Sequence, residues 1–180
     1  MMIARSDKLK ENIVLIGYMA CGKTFVAKRL GEILQRKTIE MDDIISERSK
    51  MSIKDIFKIY GEDYFRDMES LVLKEALSEK GNIISCGGGA VIRQENVLMM
   101  KERGFVVLLS AKPRTVFERA SKNNERPLLK GKKIEDIEEM MCLRRPLYIE
   151  SADIEIETDY KTIDEIAAAI INEAKKNKIL

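Results

Sequence analysis

The stretch Glu11–Leu30, "ENIVLIGYMACGKTFVAKRL", decides how the rest of the chain is interpreted. Its apolar run Ile13–Ile16 leads directly into Gly17, and Gly22-Lys23-Thr24 follows after four more residues. This is the Gly-x4-Gly-Lys-Ser/Thr pattern of a phosphate-binding loop, or P-loop, between a strand and a helix. The apolar run predicts the strand, and apolar residues at helical spacing after the loop predict the helix.

The residue types in this loop suit phosphate binding. Gly17 and Gly22 permit backbone conformations that a Cβ atom would hinder, so that successive N–H groups can point at phosphate oxygens. Lys23 adds a positive charge near the β- and γ-phosphates, and the hydroxyl of Thr24 is a ligand for Mg²⁺. A helix from Thr24 onward adds the positive end of its dipole. A glycine turn that binds nothing is the weaker interpretation.

The same stretch also resembles the start of a secreted lipoprotein. Lys8 and Lys10 precede the apolar run, and Ala20-Cys21 imitates a lipoprotein cleavage site. However, Glu11-Asn12 adjoins the apolar run, and Tyr18 is large where such a site prefers an aliphatic residue. We therefore favour the P-loop over the leader.

The composition indicates one ordinary globular domain, and we expect residues 1–180 to form it. Apolar residues make up 45% and charged residues 34% of the chain, and the net charge is only +2. This balance favours neither nucleic acid nor membrane as a partner, and no apolar run approaches the about 20 residues that cross a bilayer. Because the chain has no histidine, any general base must be a carboxylate or a lysine.

The cysteines bear on the cellular compartment. Cys21, Cys86 and Cys142 are scattered, odd in number and without a CxxC pair. This usage favours reduced thiols in the cytoplasm over a disulfide framework. We further expect Cys21 to be a reactive thiol that bound ATP protects, since the helix start and Lys23 should favour its thiolate. The alternative is an inert thiol packed against the sheet, because free cysteines are often buried.

Strand-length apolar runs alternate with helical patterns along the chain. The predicted strands are Ile13–Ile16, Thr38–Met41, Ile83–Ser85, Phe105–Ser110 and Ile154–Glu157. A capping box of Thr162 and Glu165 predicts the start of the last helix, and Ser52 with Asp55 predicts another helix start. The alternation predicts an α/β fold with a parallel sheet covered on both faces. The polar stretch 121–133, "SKNNERPLLKGKK", predicts a mobile loop within the domain.

Six segments together resemble the shikimate kinase family over nearly the whole chain. They are "GYMACGKT", "EMDDIISERSKMSIKDIF", "GEDYFRDMES", "ISCGGGAV", "ERPLL" and "RRPLYIESAD". The resemblance implies a P-loop NTPase fold with a five-stranded parallel sheet, a substrate-binding helical segment at about 42–70 and a lid at about 121–133. It also implies transfer of the ATP γ-phosphoryl group to the 3-hydroxyl of shikimate, with Mg²⁺, on the route to chorismate.

The resemblance assigns the shikimate site residue by residue. Arg66 and Arg144 match the two arginines that bind the carboxylate, which suits the fork geometry of guanidinium groups. Arg66 has a second interpretation as a partner of surface ion pairs with Glu62 and Glu69 on a helix. Asp42 matches the aspartate that binds a hydroxyl and serves as candidate base. The remaining predicted substrate-binding residues are Gly87, Gly88 and Gly89.

The resemblance also assigns the ATP site. Arg126 in the lid matches an arginine that neutralises charge on the transferring phosphoryl group, so the predicted catalytic residues are Lys23, Asp42 and Arg126. Arg119 matches a residue that lies against the adenine. The predicted ATP-binding residues are Gly17, Ala20, Cys21, Gly22, Lys23, Thr24, Phe25, Arg119 and Arg126. Arg145 and the lysines of the lid are expected to be solvated side chains.

Two positions depart from the family pattern. Ala20 replaces a usual glycine, which predicts a slightly stiffer loop. Glu40 replaces the first aspartate of an Asp-x-Asp pair, so we expect it to act on the metal through water, with Thr24 as the direct ligand. Asp43 is not expected to substitute, because adjacent residues of a strand point to opposite sides.

Other functions stay open on the sequence alone. One is a different kinase of small metabolites or nucleotides, although segments typical of adenylate and gluconate kinases are missing. Another is a non-catalytic module that binds nucleotide, or RNA through the basic loop. We expect a monomer that binds shikimate and ATP but neither nucleic acid nor membrane.

Overall fold

The computed structural model describes residues 11–121 and 133–180. Five strands form one sheet in which every pairing is parallel. They are β1 (Asn12–Ile16), β2 (Thr38–Glu40), β3 (Ile83–Ser85), β4 (Gly104–Ser110) and β5 (Ile154–Glu157), in the order β2-β3-β1-β4-β5. The predicted five-stranded parallel sheet is confirmed, with one correction. The second strand ends at Glu40, and Met41 begins a helix.

Seven helices connect and cover the strands in the described part of the chain. They are α1 (Lys23–Leu34), α2 (Met41–Ser49), α3 (Ile53–Ala76), α4 (Gln94–Arg103), α5 (Pro113–Ser121), α6 (Ile134–Ser151) and α7 (Ile163–Lys176). Helix α1 packs against α7, and α4 packs against α6. All five residues of β1 are buried, as expected for a central strand covered on both faces.

The strand register brings the predicted site residues to one edge of the sheet. Leu15 of β1 is paired with Ser85 of β3, and Ser85 is paired with Glu40 of β2. The P-loop, helix α2 and the Gly87–Gly89 turn therefore all leave the sheet at the carboxyl ends of neighbouring strands. Ligands of open α/β sheets bind at this edge.

Local signals in the sequence place the helix starts correctly. The capping box of Thr162 and Glu165 is present, and the Glu165 backbone N–H donates to Thr162 Oγ1 at 3.2 Å. Ser52 caps α3 by accepting from the backbone N–H of Asp55 at 3.1 Å. Within the described ranges, no helix combines the length and the apolar character needed to cross a membrane.

Helix α3 contains a break that the sequence analysis did not predict. Gly61 has φ 84° and ψ 177°, which is far from helical geometry. Only glycine adopts this conformation readily, so the helix changes direction there. The break separates a first part, in which Ile56 is buried and most other residues are exposed, from the part that carries Arg66 and Glu69.

Candidate active site

The P-loop has the glycine geometry that the pattern predicts. Gly17 has φ 145°, and a Cβ atom there would lie 2.2 Å from the backbone oxygen of Leu109 in β4. Gly22 has φ 91° and caps the N-terminus of α1. No other residue type fits at Gly17, because both the backbone angle and the neighbouring strand exclude a side chain.

Lys23 lies across this loop. Its Nζ donates to the backbone oxygens of Gly17 at 2.9 Å and Tyr18 at 3.0 Å. The ammonium group therefore sits on the inner side of the loop where phosphate oxygens are expected. Phe25, one residue beyond Thr24, is 64% exposed and leaves its ring open to a ligand.

Ala20 occupies a left-handed conformation with φ 61°. This angle is costly for a residue with a Cβ atom, so the usual glycine is replaced at the expense of local strain. The backbone oxygen of Ala20 accepts from Arg119 Nη1 at 3.4 Å. The same guanidinium donates to Thr158, to Oγ1 at 3.2 Å and to the backbone oxygen at 3.3 Å. Arg119 thus ties the P-loop to the segment after β5.

A buried carboxyl group lies beside the P-loop threonine. Glu40 is the last residue of β2, next to Ser85, and burial raises the pKa of its carboxyl group, with the neighbouring Thr24 and Ser85 hydroxyls opposing the shift. Its Oε2 atom is buried and has no hydrogen-bond partner among the described residues. A hydroxyl and an unsatisfied carboxylate oxygen side by side suit a hydrated divalent cation.

Two carboxylates meet at Gly87. A Cβ atom on Gly87 would lie 2.9 Å from Asp42 Oδ1 and 2.7 Å from Glu69 Oε1. Asp42 belongs to the first turn of α2, and Asp43 is exposed beside it. Asp43 is therefore set apart by the rotation of a helix, and the predicted reason, alternation along a strand, is wrong.

Arg66 is held beside this pair. It is only 8% exposed, and its Nη1 donates to Glu69 Oε2 at 2.7 Å, while Nη2 donates to Glu62 Oε1 at 3.0 Å. Both helical ion pairs considered from the spacing exist, but the pair with Glu69 is buried rather than at the surface. A Cβ atom on Gly89 would lie 2.2 Å from Arg66 Nη1, so the glycine makes room for the guanidinium.

The sequence spacing predicts Glu69 as a surface partner of Arg66, yet Glu69 is fully buried. Burial raises the pKa of its carboxyl group, Arg66 opposes that shift, and the charge of Asp42 adds to it. Its position three residues after Arg66 was the signal that could have identified it. The rings of Phe57 and Phe65 flank the guanidinium of Arg66, with centroids 6.0 Å and 5.2 Å from its Cζ.

Helix α6 brings the second predicted arginine to the same region. The Cζ atom of Arg144 lies 6.0 Å from the ring centroid of Tyr18, which follows Gly17 in the P-loop. Arg145 points elsewhere, is exposed and forms an ion pair with Glu155 at 3.2 Å. Tyr148, one turn after Arg144, was not predicted as a site residue, although the quoted "RRPLY" segment contains it. Burial raises its pKa, and its hydroxyl contacts Gly88.

One prediction about the P-loop is wrong. Cys21 is 1% exposed, and burial raises the pKa of its thiol, although the charges of Lys23 and Arg119 oppose the shift. The expected thiolate is disfavoured because desolvation outweighs the nearby positive charges. Arg126 and most of the predicted lid lie outside the described residues.

A cavity of about 720 Å³ lies between the P-loop, β4, β5 and α6. Leu108, Met141, Cys142 and Glu155 are among its lining residues. Tyr18 and Cys21 of the P-loop and Tyr148 of α6 also line it, so the cavity adjoins the predicted ATP site, although Lys23, Asp42 and Arg66 do not line it. Among the described residues no group of three or more Asp, Glu, Cys or His side chains could hold a metal ion.

Known proteins resemble this chain in sequence and in fold. The family model described as shikimate kinase matches residues 19–175. A shikimate kinase from Dehalococcoides mccartyi is 39% identical over 163 residues, which cover 91% of this chain and 93% of that protein. A solved shikimate kinase from Acinetobacter baumannii, in complex with shikimate, superposes with a TM-score of 0.88 at 34% identity and covers 94% of this chain and 96% of its own.

A second solved shikimate kinase, from Aquifex aeolicus, has a TM-score of 0.82 at 32% identity and covers 93% of this chain and 98% of its own. A gluconokinase from Sinorhizobium meliloti has a TM-score of 0.56 at 13% identity, a likeness of fold alone. The matched lengths include the P-loop lysine, the carboxylates at Gly87 and both arginines. The chain belongs to the shikimate kinase family.

Proposed function

We propose that this chain transfers the γ-phosphoryl group of ATP to the 3-hydroxyl of shikimate, a step in aromatic amino acid biosynthesis. One observation carries the proposal. A P-loop lysine and a buried arginine–carboxylate cluster, Arg66 with Glu69 and Asp42, lie at the carboxyl ends of adjacent strands. A phosphate donor and a small anionic acceptor bound there would meet at one edge of the sheet.

Shikimate carries one carboxylate and several hydroxyls, and the cluster offers a group for each. Arg66 and Arg144 would bind the carboxylate, because guanidinium forks match carboxylate geometry. Arg66 enters this role already oriented, since Glu62 and Glu69 accept hydrogen bonds from all three of its guanidinium nitrogens. The turn of Gly87, Gly88 and Gly89 would let backbone approach the substrate ring.

Asp42 would accept the proton of the reacting hydroxyl. Its carboxylate faces the Gly87 turn, within reach of a substrate held there. Lys23, and Arg126 from the lid at 121–133, would neutralise the charge that develops on the transferring phosphoryl group. Such electrostatic stabilisation is the main protein contribution to phosphoryl transfer.

The ATP site would be built from the P-loop and from helix α5, which carries Arg119. Backbone N–H groups of residues 17–24 would hold the phosphates, with Lys23 and Thr24 supplying side chains. Arg119, fixed between Ala20 and Thr158, would lie against the adenine, and the exposed ring of Phe25 would contact the nucleotide. Cys21 would contribute its backbone, because its side chain is buried.

A Mg²⁺ ion would be held by Thr24 and, through water, by Glu40. One hydroxyl and one carboxylate are few ligands, which suits an ion that keeps several waters and binds mainly through phosphates. The ion would supply charge neutralisation between the β- and γ-phosphates. The unsatisfied Oε2 atom of Glu40 is the observation that supports its part in this site.

We infer a monomer that binds shikimate and ATP as small molecules. The proposal gives no role to nucleic acid or membrane. The free thiols of Cys21, Cys86 and Cys142 fit a reducing compartment, so we place the reaction in the cytoplasm. We also infer that residues 1–180 form one domain.

A coupled assay of ADP release tests the function. We expect MgATP turnover that depends on shikimate, and a product identified as shikimate 3-phosphate by mass spectrometry. Gluconate and AMP serve as comparison acceptors, because a related kinase would use one of them. ADP release with either of these and none with shikimate would overturn the proposal. Salt-sensitive binding to RNA without turnover would favour the binding-module alternative.

A further inference from the structure

Helix α6 presents three residues, spaced four apart, to the P-loop and the glycine turn. Met140 Sδ accepts from the Tyr18 hydroxyl at 3.6 Å, and Arg144 lies 6.0 Å from the Tyr18 ring centroid. Tyr148 donates its hydroxyl to the backbone oxygen of Gly88 at 2.5 Å. Residues spaced by four share one helix face, so one face of α6 contacts both parts of the site.

Gly88 lies where these parts meet. A Cβ atom on Gly88 would lie 3.7 Å from the Met19 backbone nitrogen, 3.8 Å from the Gly17 backbone oxygen and 4.0 Å from Tyr148 Oη. The glycine turn is thus in van der Waals range of the P-loop on one side and of Tyr148 on another. Three glycines in a row have little conformational preference of their own, so outside contacts must fix the turn.

The hydrogen bond from Tyr148 fixes a specific peptide plane. The C=O of Gly88 and the N–H of Gly89 belong to one planar trans peptide and point in opposite directions. Holding the Gly88 oxygen at Tyr148 therefore directs the Gly89 N–H away from α6. Gly89 is the residue against which the Arg66 guanidinium lies, so this peptide borders the predicted carboxylate site.

We propose that Tyr148 is a positioning residue for the acceptor substrate, acting through the Gly88–Gly89 peptide. Its hydrogen bond connects the helix that carries Arg144 to the turn that borders Arg66. It therefore fixes the positions of the two arginines and the turn relative to one another. This inference rests on the proposed shikimate kinase activity. Tyr148 itself is buried and acts through the backbone rather than on the reacting atoms.

Removing the hydroxyl, which also lies beside the Arg144 side chain, tests this role. Tyr148→Phe keeps the ring but leaves the Gly88 oxygen without its donor, a loss of about one hydrogen bond. We expect the KM for shikimate to rise about 3- to 10-fold, since one net hydrogen bond corresponds to that range. The KM for ATP should stay within 2-fold, because the P-loop contacts are unchanged.

Ser151→Ala is the matched control. Ser151 is a buried hydroxyl on the same helix, and it donates to the Leu147 backbone oxygen at 2.6 Å, away from the glycine turn. Its loss should lower the Tm without changing either KM. Replacing Tyr148 with 4-aminophenylalanine keeps a donor on the ring and should restore the KM for shikimate to within about 2-fold of the wild-type value.

The outcomes separate this inference from the proposed function. Wild-type protein that shows no shikimate-dependent turnover would overturn the function. If the wild type is active and Tyr148→Phe behaves like Ser151→Ala, with a lower Tm but an unchanged KM for shikimate, Tyr148 is a packing residue only. Equal increases in the KM for shikimate and for ATP would also overturn the positioning role. If Tyr148→Phe does not fold, the 4-aminophenylalanine variant decides, because a raised KM despite its donor would contradict the proposal.

Discussion

The P-loop and the proposed acceptor site differ in how their residues are distributed along the chain. The P-loop is one continuous segment, residues 17–24, and we propose that its backbone supplies most of the groups that bind the phosphates. The acceptor site draws Asp42, Arg66, the Gly87–Gly89 turn and Arg144 from four segments. A site made of local backbone geometry is visible in a single sequence, whereas a site assembled from distant side chains is not.

The largest effect should come from the acceptor site. Asp42→Asn keeps the shape of the side chain but removes the proton acceptor, and we expect kcat to fall about 10²- to 10⁴-fold. Glu40→Gln, which we propose weakens a water-mediated contact to the metal, should cost about 10- to 100-fold. Steady-state kinetics of both variants decide the order. Equal losses, or a larger loss for Glu40→Gln, would contradict the assignment of the base.

The second largest effect should come from Arg66, for which the sequence allows two roles, a ligand of the substrate carboxylate and a partner in helical ion pairs. Arg66→Lys keeps the charge but loses the planar fork, and the KM for shikimate should rise about 10- to 100-fold, the range for lost hydrogen bonds to charged groups. The KM for ATP should barely change. Arg126→Ala, in the predicted lid, serves as the contrast and should mainly lower kcat. A variant of Arg66 that weakens ATP binding and spares shikimate would reverse our map of the two sites.

The same contrast explains what the sequence could and could not predict. The strands, the P-loop and two helix starts follow from apolar runs, glycine spacing and capping residues, all of which are local. The burial of Glu69 and the contact of Tyr148 with Gly88 depend on packing between segments that the chain keeps far apart. The prediction of a reactive Cys21 thiolate is wrong for a related reason. Its neighbours in sequence are cationic, but the sheet beneath it excludes water, and desolvation decides its pKa.

A pH-dependent effect on stability should come from Glu69. The folded protein keeps a proton on this carboxyl group to a higher pH than the unfolded chain does, because burial raises its pKa. Its contribution is therefore fully present below the unfolded pKa of about 4.3 and declines as pH rises through the folded pKa. The Glu69→Gln variant has no carboxyl group at this position, so its stability lacks this pH dependence.

Chemical denaturation of wild type and Glu69→Gln between pH 4 and 8 measures this contribution as a difference. We expect the free energy of unfolding of the wild type, relative to the variant, to fall as pH rises. The variant should also lose about 1–3 kcal/mol overall, because Arg66 loses a charged partner. Glu62→Gln is the control, since that carboxylate is exposed and pairs with the same guanidinium. A difference that grows with pH would show that Arg66 holds Glu69 ionised.

The smallest effect should come from the P-loop, where the geometry is already fixed by glycines on either side of Ala20. With φ at 61°, Ala20 bears a left-handed strain that glycine would not, but glycine also gives the unfolded chain more freedom. The relief of strain stabilises the fold and the freedom of the unfolded chain destabilises it, so Ala20→Gly should change the free energy of unfolding by less than about 1 kcal/mol. Gly17→Ala is the contrast, because its Cβ atom would lie 2.2 Å from the Leu109 oxygen, and it should abolish ATP binding or folding. Thermal unfolding with and without MgATP measures both variants. A large destabilisation by Ala20→Gly would mean that the alanine methyl makes a stabilising contact, and the P-loop would then depend on side-chain packing as the acceptor site does.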